Sequence, residues 1–97
     1  MTAMHLTLAP SVPFQEAEDT LRLARLAVES IYGPERTELE ARVDIDREAR
    51  LFIINVSRRV GRTLALVFAG YARREFGPGT VLVEHVAGQR QVVGETA

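Results

Sequence analysis

The segment LFIINV, residues 51–56, most constrains what this chain can fold into. Leu51 and Ile53 alternate with Phe52, Ile54 and Val56, so an extended backbone here is apolar on both faces. A strand with one wetted face would leave about half of these side chains in water, at about 25 cal/mol per Å² of apolar surface. The segment therefore predicts a central strand, flanked by strands and covered by helices. The rest of the 97-residue chain must supply those neighbours.

Two amphipathic stretches can supply the cover. In residues 14–32, Phe14, Ala17, Leu21, Ala24, Val28 and Ile31 recur at spacings of three and four, one stripe of a helix. Ser11 offers a capping hydroxyl and Pro13 a φ already near the helical value, while Gly33 and Pro34 end the stretch. Glu16, Glu18 and Asp19 lie in its first turns, where the helix dipole favours acid, and Glu18 is spaced to pair with Arg22. In residues 58–76, Val60, Leu64, Val67, Phe68 and Tyr71 form a second apolar arc, continued by the small residues Gly61, Ala65 and Ala72. The sequence GPG at 77–79 closes it, and Ser57 has the type and place of an N-cap.

Three further stretches read as strands: MHLTL at 4–8, ELEARVDID at 38–46 and TVLVEHV at 80–86. In residues 38–46, Leu39, Ala41, Val43 and Ile45 alternate with charged side chains, the pattern of one buried and one wet face. A turn at DREA, 46–49, places Ile45 opposite Arg50 and pairs Val43 with Phe52, Ala41 with Ile54 and Leu39 with Val56. The order β-α-β-β-α-β predicts an α+β, ferredoxin-like two-layer sandwich: a four-stranded antiparallel sheet with two helices on one face and the other face open. An αββαβ layer with the first strand unpaired is the alternative. Residues 1–97 read as a single domain with its core at about 4–87, and residues 88–97 as a tail or an extra edge strand.

Composition narrows the function classes. The net charge of -1 argues against the basic footprint of a dedicated nucleic-acid-binding domain. All twelve basic residues are arginine, a bias that GC-rich coding produces without any functional cause. The chain has no cysteine, hence no disulfide or thiolate chemistry, and no apolar run near the ~20 residues of a membrane span. With no basic and apolar leader pattern at its start, a cytoplasmic location is expected. A domain this small buries only about two thirds of its unfolded surface, so a partner subunit would help it.

Arg58, Arg59, Arg62, Arg73 and Arg74 gather on the polar side of the second helix. Three of them lie at its N-terminus, where the dipole repels cations. Ser57, Arg58, Arg59 and Arg62 are therefore candidate anion ligands. The competing and preferred expectation is that Glu16, Glu18 and Asp19, at a neighbouring N-terminus of the first helix, neutralise them. The sequence VGRT at 60–63 is not a phosphate-binding loop, because that motif needs a glycine at position 56 and a lysine at position 62, where Val56 and Arg62 stand. Gly61 instead suggests close approach by another backbone, of the first helix or of a second subunit. His5 and His85 fall on adjacent strands but bring no convergent third ligand, and no pair of side chains stands out for catalysis, so neither metal, cofactor nor catalytic residue is assigned.

The open sheet face gathers Leu51 and Ile53 with His5 and Thr7, beside either Val81 and Val83 or Leu82 and Val86. An apolar patch rimmed by charge reads as a contact surface. The leading expectation is a non-enzymatic module that forms a homodimer through this face. Anion or nucleic-acid binding by the arginines is the alternative. A small-molecule site at a subunit interface, with His5 and Asn55 as its polar groups, is a weaker one.

Overall fold

The computed structural model describes residues 2–87. The element order is β1 (Thr2–Leu8), α1 (Phe14–Tyr32), α2 (Pro34–Glu40), β2 (Val43–Asp46), β3 (Leu51–Asn55), α3 (Arg59–Phe76) and β4 (Val81–Ala87). The strands form one sheet in the order β2-β3-β1-β4, antiparallel throughout. This is the βαββαβ two-layer sandwich, with α2 as an added helix. Because β1 pairs on both sides, the alternative with an unpaired first strand is excluded. The expectation of a tail or extra strand at 88–97 lies outside the described residues.

The core lies between one face of the sheet and the helices. Leu6 stands opposite Phe52 on β3 and Val83 on β4, and Leu8 stands opposite Val81, so these side chains share the covered face. Phe52 is fully buried there. Its ring stacks on Phe14 of α1 at 5.0 Å and meets Phe68 of α3 edge-on at 5.0 Å. Ala17, Leu21, Ala24 and Val28 of α1 are buried as their spacing predicts, but Ile31 is 67% exposed. Three residues along a helix turn Ile31 by about 60° from Val28, enough to carry it over the rim of the stripe. Tyr71 of α3, 38% exposed, is a rim residue of the same kind and not part of the buried arc.

Residues 38–46 are not one strand. Pro34 at the first position restarts a helix after Gly33, Thr37 donates its hydroxyl to the Gly33 carbonyl at 2.8 Å, and Arg36 pairs with Glu40 across one turn at 3.2 Å. Leu39 consequently points into water, 82% exposed, while Ala41 at the helix end is fully buried. The hairpin pairs Val43 with Ile54 and Ile45 with Phe52, two residues away from the expected register. A two-residue slip keeps every side chain on its own face, so the apolar pairing that supported the expected register supports this one equally.

The hairpin turn is fastened to the entry of α1. Arg50 adopts a left-handed φ of 55°, and its guanidinium donates to the carbonyls of Ala9, at 3.0 Å, and Val12. Arg47 donates two hydrogen bonds to the carboxylate of Glu18, at 2.6 and 3.0 Å. Both guanidinium groups lie over the Phe14 ring. Glu18 thus does not pair with Arg22, which takes Asp19 at 2.8 Å instead.

Gly61 has a local reason. A Cβ there would collide with the backbone carbonyl of Asn55 and lie 3.1 Å from that of Glu40, so the close neighbours are the ends of β3 and α2, not α1 or a second subunit. Gly70, also inside α3, would meet nothing within 4 Å. Gly61→Ala is expected to destabilise the protein by more than about 2 kcal/mol in chemical denaturation, as over-packing against rigid backbone does. Gly70→Ala is expected to stabilise it by up to about 1 kcal/mol, the helix preference for alanine.

Candidate functional site

The arginines at the start of α3 are not met by the acids of α1. Since β1 and β3 are antiparallel, the helices that follow them are antiparallel too. Tyr32, at the end of α1, shares a hydrogen bond of 3.1 Å with Thr63 near the start of α3. At the opposite end, Thr20 and Leu23 of α1 form a shallow groove with Tyr71, Arg74 and Glu75 of α3. Glu16, Glu18 and Asp19 therefore lie at the far end of α3 from Arg58, Arg59 and Arg62, and the expected neutralisation does not occur.

The four candidate anion ligands do not act as one group. The Ser57 hydroxyl accepts from the Thr2 N–H at 3.3 Å, and the Ser57 N–H donates to Asn55 Oδ1 at 2.9 Å. Ser57 is therefore not the N-cap. Arg58 holds that position, extended at φ -112°, with no side-chain cap. Arg62 donates to the Val56 carbonyl at 3.2 Å. Arg58 and Arg59 are exposed. Among the described residues, no carboxylate lies within ion-pair distance of any arginine from 58 to 74.

On the sheet face away from the helices, the register sets out two rows. One runs Asp46, Leu51, Thr7, Leu82, and the other Asp44, Ile53, His5, Glu84. The last strand thus contributes Leu82 and Val86 to this face, while Val81 and Val83 belong to the covered one. His5, Thr7, Leu51 and Ile53 come together as expected, each half-buried, with Leu82 beside them at 60% exposure. The rim is acidic: Asp44 and Asp46 on β2 and Glu84 on β4. His5 faces Glu84 across the ladder and His85 faces Met4, so the two histidines lie on opposite faces of the sheet. Among the described residues, no three potential metal ligands cluster.

Sequence reasoning missed the exposed apolar side chains of the helices. Leu66 of α3, 66% exposed, lies among the arginines, and its place opposite the apolar arc was the signal. The described helices include none long and apolar enough to cross a membrane. No model of a known family, no curated protein and no solved structure matches the chain.

Because the arginines at the start of α3 oppose the helix dipole without a carboxylate partner, Arg59→Glu is expected to raise stability by about 0.3–1 kcal/mol. The gain should shrink as salt rises from 0.05 to about 0.5 M in thermal melts, as screened surface electrostatics requires.

Proposed function

We propose that the protein is a non-enzymatic module of the cytoplasm that assembles with copies of itself through the open face of its sheet. One observation carries this reading: β3 is apolar on both faces, and among the described residues only the face with Phe52 and Ile54 has a helical cover. Leu51 and Ile53 sit on the other, joined by the exposed Leu82 and Val86. A chain of this size gains proportionately more than a larger one from covering such a patch. His5 and Thr7 lie within it and supply polar groups that fix the register of a contact, while Asp44, Asp46 and Glu84 form its rim.

A second reading has one observation in its favour. Arg58 and Arg59 lack carboxylate partners among the described residues, which suits an anion or a nucleic-acid backbone. Against it stand Ser57 and Arg62, both engaged with the protein's own backbone. Self-association is therefore the reading we adopt.

Sedimentation equilibrium tests it. The wild-type protein is expected to show concentration-dependent mass above that of one 10.8 kDa chain. Ile53→Asp should run as a monomer at every concentration with an unchanged far-UV spectrum. A wild-type protein that stays monomeric up to about millimolar concentration, an affinity of only about 4 kcal/mol, would sink the proposal.

A further inference from the structure

The outer surface of α3 carries a stripe that nothing in the described protein uses. Arg59, Arg62, Leu66, Gly70 and Arg73 follow at spacings of three and four, which puts them on one helical face. All five are exposed. Leu66 stands out from this face with two thirds of its surface in water. Beside it, one turn on, Gly70 leaves a notch: a side chain there would touch nothing within 4 Å. Gly61 is explained by the carbonyls pressed against it, but no contact among the described residues explains Gly70. A knob, a notch and flanking guanidinium groups without carboxylate partners among the described residues form a ridge that suits an apolar surface with an acidic rim.

The protein has such a surface. The open sheet face has Leu51 and Ile53 of β3 toward its middle, Leu82 on the edge strand β4, and Asp44, Asp46 and Glu84 on the two edge strands; among the described residues only Asp44 lies within ion-pair distance of an arginine, Arg42, at 3.9 Å. Resting on the self-association proposed above, we infer that the open face of one copy receives the α3 ridge of the next. The contact is heterologous, head to tail, and it places helices on both sides of the sheet, the usual cover for a strand apolar on both faces. Stacking two open faces on each other would bring acidic rims together, with Arg42 the one arginine near them among the described residues. The ridge brings Arg59 and Arg73 to those same carboxylates, and opposed charge sets the choice between the two arrangements. Repeated head to tail, the contact closes a ring or extends a filament, according to the rotation between copies.

Mixing two blocked variants tests this. Leu66→Glu with Gly70→Glu spoils the ridge and leaves the face intact, while Ile53→Asp spoils the face and leaves the ridge intact. All substitutions lie at positions outside the core, and Leu82→Glu serves as a second face variant if Ile53→Asp melts early. Native mass spectrometry is expected to find each variant monomeric alone, and a one-to-one heterodimer that grows no further when they are mixed. If the ridge variant assembles like the wild type, the contact is face to face: the inference is overturned and self-association stands. If the wild type is monomeric, both fall. A wild type that stays monomeric but binds a short oligonucleotide, with binding lost in Arg59→Glu/Arg73→Glu, assigns the ridge to nucleic acid and overturns the inference.

Discussion

Phe52 holds the two layers together. It projects from the strand third in chain order and second in the sheet, and it touches aromatic rings from both long helices. Aromatic pairs of this kind add roughly 0.5–1.5 kcal/mol each beyond the area they bury. The contact fixes the depth at which α1 and α3 sit on the sheet, and with it the positions of Ala24, Val28, Leu64 and Ala65 beneath them. Since neighbouring residues of a strand point oppositely, seating Phe52 inward also fixes Leu51 and Ile53 outward. The core and the open patch are two consequences of one strand placement.

Much of this was legible in the sequence. The period of residues 14–32 defines α1 to the residue, and the two-faced apolar run predicts β3 as an inner strand. The errors came from patterns that satisfy two structures at once. Residues 38–46 alternate like a strand, yet their first three positions close a helix that starts at Pro34 and carries an Arg36–Glu40 pair at helical spacing. Gly33 and Pro34 were read as the end of one helix, and they are equally the start of another. The hairpin register was ambiguous for a related reason, because slips of two residues preserve the inside and outside of each strand.

The candidate site divides in the same way. Its membership was legible from alternation, which brought His5, Thr7, Leu51 and Ile53 to one face. The electrostatic setting of α3 was not, because it depends on the direction of the helices, and direction follows from how the strands pair rather than from any local pattern. Gly61 and Gly70 read alike in sequence, as glycines inside one helix. Only the packed fold separates the glycine held by two carbonyls from the one with empty space around it.

The fastening of the hairpin turn bears on motion as well as on shape. Strand β2 has four residues and a single pairing partner, so its own ladder holds it weakly at the edge of the sheet. The clamps made by Arg47 on Glu18 and by Arg50 on the carbonyls of Ala9 and Val12 join that edge to the first turns of α1. Neither segment can fray without breaking contacts of the other. The two are therefore tied to open together, and their amides are expected to exchange with solvent at matched rates although more than twenty residues separate them along the chain.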